Sequence, residues 1–230
     1  MSVADLSASA QNYLKVIWSL QEWSDAPVTA SMIAQKTGLK LSTVSGAMPK
    51  LGEQELVEYA RYGSIALTAK GQGYAVAMVR RHRLIETFLV EVLGYRWDEV
   101  HDEAEVLEHA VSDFMVGRID ELLAHPVRDP HGDPIPSPSG AVDRTPFVES
   151  LSGASPGVRM VVERISDEDP ELLRFFAGRG LVVGSELIVS AGPPYSDSLQ
   201  VQVEGGASLV LGRSATDAVW ICPVSQSAVP

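Results

Sequence analysis

At 230 residues the chain has room for one large domain or two to three small ones, and its 45% apolar content supports a buried core. Its apolar runs fall far short of the ~20 residues a membrane span needs, its polar start MSVADLSASAQNYLKVIW is no secretory signal, and the lone Cys222 excludes a disulfide framework or thiolate cluster. A reduced, cytoplasmic protein without a membrane partner is expected.

The net charge of −12 is unevenly spread. Residues 1–90 carry nine Lys/Arg against seven Asp/Glu, whereas residues 91–230 carry nine against twenty-three. The N-terminal third is therefore free to meet an anion such as nucleic acid.

Residues 5–23 place Leu6, Tyr13, Leu14, Ile17, Trp18 and Leu20 at helical spacing. After a turn at Ser24-Asp25-Ala26-Pro27, Thr29 caps a short helix, ASMIAQKTG, that Gly38 closes. A third helix is expected with Ser42 as its cap, running through Thr43, Val44, Ser45, Ala47 and Leu51. Two short helices around a Gly turn are a helix-turn-helix signature. The alternating stretch LVEYARYGSIALTAKG, turning at Tyr62-Gly63-Ser64, reads as a β-hairpin, which makes the unit a winged helix. Pro49 conflicts with the third helix, since a proline inside a helix costs ~3 kcal/mol. The helix is expected to kink there or to end earlier.

Two longer amphipathic helices are predicted over Gln72–Leu93 and Trp97–Leu123. Their apolar surplus (Phe88, Leu89, Val92, Leu93, Val106, Leu107, Val111, Phe114) suits a two-fold interface, so a homodimer is expected. Residues 125–157 read as a Pro- and Gly-rich linker. From Val158 about five short strands surround one helix, PELLRFFAGRG, which predicts a small barrel. The expected fold is mainly α with small β parts. It comprises a winged helix-turn-helix over 1–73, a helical metal-binding and dimerisation domain with its linker over 74–145, and an SH3-like barrel over 146–230.

The chemistry is concentrated in HDEAEVLEH. On a helix, His101, Glu105, Glu108 and His109 share one face. His82 and Glu86 form a second pair at i, i+4 in VRRHRLIETFLVEVL. Paired helices offering His and Glu are a usual way to build a divalent-metal site, whereas the nonamer alone would suit a solvated charged face. Carboxylate and imidazole ligands favour Mn(II) first and Fe(II) second, and a tetrahedral Zn(II) needs fewer oxygens than this stripe offers. In DPHGDPIP, Asp129 and His131 either converge on an ion or form an ordinary turn. The HExxH pattern, a Gly-rich phosphate loop and an activated nucleophile are all missing, so no enzyme activity is expected. Ser42, Thr43, Ser45 and Gly46 are the candidates to face bases, and Lys36, Lys40, Lys50 and Arg61 to face phosphates.

The order of helix-turn-helix and wing, VRRHRLIETFL, HDEAEVLEHAVSD, DPHGDPIP and a small C-terminal domain resembles the diphtheria toxin repressor family of metal-dependent transcription regulators, in its manganese-responsive branch. LLRFFAGRGLVVGSELIV looks like the SH3-like, ferrous-transport-type domain such regulators often carry. The resemblance implies a primary site made of His82, Glu105, Glu108 and His109. Glu105 stands where the iron-sensing branch has Cys, which favours manganese. Asn12 occupies the position of a further ligand that is usually Asp, and Lys15 that of an extra Glu in some relatives, so a two-ion primary cluster is not expected. Glu86, Asp129 and His131 resemble an ancillary site that also takes an acid from SDEDPE. Asp169 is the choice there over Glu168 and Glu171, with His101 as a supporting or ancillary residue.

The expected function is a Mn(II)-activated repressor of metal-uptake genes, binding a palindromic DNA operator as a homodimer. An Fe(II)-responsive regulator of the same family, a metal-dependent hydrolase on a helical scaffold and a constitutive winged-helix protein with a structural metal are the rivals.

Overall fold

The computed structural model describes residues 2–22, 26–59, 63–142 and 148–224. The chain forms two compact units. The first comprises Met1–Ile85, Glu105–His125 and Ile135–Val142, and the second Glu86–Ala104, Pro126–Pro134 and Asp143–Pro230.

In the first unit, helices α1 (Ala8–Glu22), α2 (Ala30–Thr37) and α3 (Leu41–Glu53) precede a two-stranded ribbon of β1 (Val57–Tyr59) and β2 (Ile65–Leu67). The strands are antiparallel, with Val57 opposite Leu67 and Tyr59 opposite Ile65, so the winged helix is formed. Thr29 accepts a bond from the Met32 amide at 3.3 Å, and Gly38 ends α2 with φ +67°. The cap of α3 is Lys40, which makes no side-chain capping bond. Ser42, the expected cap, already lies inside the helix.

Pro49 does not stop α3, which continues to Glu53. Val44, Met48 and Leu51 are all buried. At about 1.5–3 kcal/mol for each fully buried side chain, their burial outweighs the ~3 kcal/mol proline penalty. Leu14, Ile17, Val28, Ile33 and Leu56 complete this core. Gly71, at the start of α4 (Ala69–Glu91), is needed for close approach, because a Cβ there would lie 1.9 Å from the Leu56 carbonyl oxygen.

The predicted helix over Trp97–Leu123 is two helices, α5 (Val100–Leu107) and α6 (Asp113–Leu122). Ser112 opens α6 by accepting from the Met115 amide at 3.2 Å. Arg81 of α4 donates to the carbonyls of Glu108 at 3.1 Å and Val111 at 3.0 Å, satisfying groups that the break in the helix leaves exposed. Glu108 and His109 therefore stand in the turn after α5 rather than on its face.

The second unit holds a six-stranded antiparallel sheet in the order β3-β8-β4-β5-β6-β7, namely β3 (Glu149–Ser150), β4 (Arg159–Ile165), β5 (Glu186–Ala191), β6 (Leu199–Val203), β7 (Ser208–Leu211) and β8 (Val219–Pro223). Helix α7 (Pro170–Ala177) buries Leu173 and Phe176 against Val189, Val201 and Ile221, and a short α8 (Arg213–Thr216) precedes β8. Among the described residues β3 and β7 are unpaired edges, so the expected barrel is not closed.

In the single chain Phe114 is 79% exposed and Val106 70%, apolar surface of the kind a dimer covers. No described helix is long and apolar enough to cross a membrane.

Candidate metal centre

A first cluster lies in the first unit. Helix α1 contributes Gln11, Asn12 and Lys15, α4 contributes His82, and α5 with its following turn contributes Glu105, Glu108 and His109. His82, Glu105 and Glu108 each offer a ligand atom within 4.8 Å of the others. The Lys15 ammonium sits between them, 2.6 Å from Glu105 Oε1, 2.6 and 2.8 Å from the two Glu108 oxygens and 3.5 Å from His82 Nδ1. His82 Nδ1 is also 2.6 Å from Glu108 Oε2. Burial opposes charge on Glu108, but the His82 hydrogen bond and the Lys15 ammonium prevail and hold its carboxyl below the usual range.

Two donors in this cluster are buried without a hydrogen-bond partner: Asn12 Oδ1 and His109 Nε2. His109 Nδ1–H donates to Gln11 Oε1 at 2.6 Å. The Gln11 amide nitrogen is itself fixed by the carbonyls of Val3 at 2.9 Å and Leu6 at 3.0 Å, so its oxygen must point at the ring. This sets the tautomer and leaves the His109 Nε2 lone pair bare, as a metal ligand requires. A buried amide oxygen, a bare imidazole nitrogen and two carboxylates fit a hard or borderline divalent cation.

A second cluster lies in the second unit around Glu86, which is fully buried. His101 Nδ1 is 2.8 Å from Asp167 Oδ2 and 3.5 Å from Glu86 Oε1. Burial disfavours charge on His101, yet Asp167 and Glu86 outweigh it and push the ring up to about 11. Glu86 also lies within ligand spacing of Asp129 and His131. Here too burial works against the charged ring, while Glu86, Asp129 and Asp167 raise the His131 pKa.

Of the acids in SDEDPE, Asp167 is the one beside His101. Asp169 caps α7, accepting from the amides of Glu171 at 2.9 Å and Leu172 at 3.1 Å. His101, which shares a sequence stripe with Glu105, Glu108 and His109, stands with Glu86 and Asp167.

Known proteins resemble the chain along most of its length. The description "Iron dependent repressor, N-terminal DNA binding domain" matches residues 5–65, "Iron dependent repressor, metal binding and dimerisation domain" residues 68–137, and "FeoA domain" residues 149–223. The chain is 30% identical to the iron-dependent repressor IdeR of Mycobacterium leprae (strain TN), over 94% of this chain and 98% of that protein. The diphtheria toxin repressor of Corynebacterium diphtheriae is 30% identical, over 80% of this chain and 84% of that one. The chain belongs to the diphtheria toxin repressor family of metal-dependent transcriptional regulators. Among solved structures, a manganese-dependent transcriptional repressor in complex with manganese shares 49% identity and a TM-score of 0.89, covering 94% of this chain and all of that one. The manganese regulator SloR shares 32% identity and a TM-score of 0.78, over 94% and 98%.

In this repressor family member the DNA-binding helices present an exposed row. Lys36, Lys40, Ser42, Thr43, Ser45, Gly46 and Lys50 are all exposed, whereas Arg61 lies outside the described residues. Leu39 and Leu41 are also exposed at the entry to α3, 44% and 50%, and were not singled out from sequence. Sequence reading likewise passed over Gln11, Arg81 and Asp167. Gln11 adjoins Asn12 and Asp167 lies in SDEDPE, so position was the available signal. Arg81 bonds the carbonyls freed by the broken helix and pairs with Asp113, and offered no such signal.

Proposed function

We propose that the chain is a Mn(II)-activated, DNA-binding repressor of metal-uptake genes that acts as a homodimer. The observation that carries this reading is the first cluster, where Asn12, Glu105, Glu108 and His109 supply three kinds of oxygen or nitrogen donor and no sulfur. Glu105 in place of a thiolate favours manganese over softer ions. The likeness to a repressor whose structure holds manganese supports the same choice. Around Glu86, His101 and Asp167 form an ancillary site, with Asp129 and His131 beside them.

A bound divalent cation supplies the positive charge that draws carboxylates and imidazoles into one shell. The chain's own residues give that event its reach. Asn12 and Lys15 belong to α1, whose Leu14 and Ile17 pack in the same core as α2 and α3. Glu108 and His109 belong to the turn that Arg81 fastens to α4. Joining Asn12 to that turn fixes α1, and with it the recognition helix α3, against the dimerisation helices. Two recognition helices held about one turn of B-DNA, roughly 34 Å, apart read both half-sites of a palindrome. Lys36, Lys40 and Lys50 meet phosphates, and Ser42, Thr43, Ser45 and Gly46 face base edges. Lys15 competes with the cation for Glu105 and Glu108, so activation requires its ammonium to move.

Titration of Mn(II), Fe(II) and Zn(II) against a labelled duplex, selected from a random-sequence pool by the Mn(II)-loaded protein, tests the ion choice. Mn(II) is expected to activate at micromolar levels. Activation by Fe(II) alone would favour the iron-responsive reading, and activation by Zn(II) alone would remove the manganese assignment.

A further inference from the structure

Helix α3 carries in its interior the two residue types that helices tolerate least, at Gly46 and Pro49. The burial of Val44, Met48 and Leu51 explains how α3 survives Pro49, but not why either residue stands there. A glycine inside a helix weakens it and needs a packing or functional reason. Gly71 has a packing reason in the Leu56 carbonyl, whereas at Gly46 a Cβ would meet nothing within 4 Å. The Gly46 backbone is not left-handed either, so an alanine would fit. Pro49 is exposed and fills no gap in the core. The fold demands neither residue, and a local rule broken without an internal reason marks a functional position.

Both residues lie on the outward side of the helix. Ser42, Ser45, Gly46 and Pro49, at i, i+3, i+4 and i+7, are all exposed and point away from the buried Val44, Met48 and Leu51. None of the four carries the amide or guanidinium that pairs bidentately with a base. Pro49 acts instead through the backbone. It has no N–H, so the Ser45 carbonyl loses the donor that a helix places four residues later. Among the described residues none donates to that oxygen from outside α3. A proline ring also crowds the carbonyl four residues before it and tilts it outward. Next to that carbonyl, Gly46 removes the side chain that would keep the backbone away from a surface.

We infer that the Ser45 carbonyl reads a base directly, accepting a hydrogen bond from the exocyclic amino group of an adenine or cytosine in the major groove of each half-site. This inference rests on the reading above, in which α3 enters that groove, and names a chemical group that the helix recognises there. Adenine presents its N6 amino group in the major groove and cytosine its N4 amino group, whereas guanine and thymine present acceptors. A carbonyl therefore selects the strand that carries the amino base. Set against a keto base, it would be left unpaired in a dehydrated interface, which is costly. The open space at Gly46 lets the backbone come within hydrogen-bonding reach, and Lys40 and Lys50 anchor the two ends of α3 on phosphates.

The test uses the Mn(II)-loaded full-length protein and a duplex that it selects from a random-sequence pool, at one stated salt concentration. Adenines are replaced singly by purine nucleoside and cytosines by 2-pyrimidinone nucleoside, which delete the amino group alone. One replacement in a half-site is expected to lower the parent's affinity about three- to tenfold, the size of one hydrogen bond. Whether that base is adenine or cytosine identifies the amino group read. Pro49→Ala returns an N–H to the Ser45 carbonyl, so it should bind the unmodified duplex about three- to tenfold more weakly and ignore that replacement. Gly46→Ala puts a methyl group in the gap and should also bind the selected duplex more weakly. Both variants should melt about 2–4 °C above the parent, because alanine is the better helix residue. Their affinities for Mn(II) and for a scrambled duplex should match the parent's. Residues with a purely structural role would give the higher melting temperature without the loss of specific binding. Parent-like affinity for the selected duplex in both variants would thus overturn the inference. So would a parent indifferent to every amino deletion, or a Pro49→Ala protein that still responds at the parent's position. Failure of the loaded parent to bind any duplex would instead strike the reading of α3 as the recognition helix.

Discussion

Glu108 and Glu86 are both carboxylates with no exposed surface, and the chain compensates them in different ways. Glu108 receives a lysine ammonium at 2.6 Å together with His82, so its charge is balanced by a group the chain itself provides. Glu86 lies 3.5 Å from His101 Nδ1 and within ligand spacing of His131, so imidazoles stand where Glu108 has a lysine. On the proposed function, the first site exchanges its own ammonium for a metal, and the exchange moves α1. A site assembled from histidines gains charge without such a swap. The first is suited to switching and the second to bracing.

The largest expected effect separates those roles. In Glu108→Ala, the shared acceptor of Lys15 and His82 is gone and Asn12 can no longer be joined to the turn after α5. Metal-driven gain in DNA affinity, typically about 5–150-fold for an allosteric coupling, should vanish, with helical content unchanged by circular dichroism because Glu108 is not part of the apolar core. An Mn(II) response equal to the parent's would show that this cluster is not the switch.

Gln11→Ala probes how the ligand is prepared. Without the acceptor for His109 Nδ1–H, the ring loses its fixed tautomer, and loss of such a partner generally weakens metal affinity by about 10–100-fold. Calorimetric titration with Mn(II) measures it, and an affinity within error of the parent would leave Gln11 a purely structural residue.

Lys15→Met acts in the opposite direction. Removing the competing ammonium leaves Glu105 and Glu108 facing each other, so the metal-free protein should melt earlier and Mn(II) should restore it. The Mn(II) concentration for half-maximal DNA binding should fall about tenfold, in line with a coupling of ~1.4 kcal/mol. A higher midpoint would mean that Lys15 supports the metal-bound state instead of competing with it.

The smallest effect compares two neighbouring acids. Asp167→Asn should weaken the response to Mn(II) several-fold, because the His101 position loses its carboxylate. Asp169→Asn should be silent in the same titration, since asparagine caps a helix as well as aspartate does. The reverse order would return the ligand role to Asp169.

The helix-turn-helix was readable because its signals are local. Thr29 and Gly38 act within a few residues of where they stand, and the hairpin follows from alternation. The split of Trp97–Leu123 was not readable, since the apolar pattern runs through it and the bonds that close α5 come from Arg81, more than twenty residues earlier. Asp169 is a local case of another kind, because it caps α7. An acid immediately before Pro170 is a helix-start signal in its own right, legible without the fold. The concentration of His and Glu in HDEAEVLEH was legible, but which of them come together depends on how α5 ends. The orientation of Gln11 depends on the carbonyls of Val3 and Leu6, which only the folded N-terminus brings to it.

Duplex DNA affinity of the pure full-length protein, measured with Mn(II) and again after chelation at one stated salt concentration, tests the central claim most directly. The account predicts specific binding that requires the metal, is lost on chelation and returns when Mn(II) is restored. Equal affinity before and after chelation would contradict it and leave a constitutive winged-helix protein whose metal is structural.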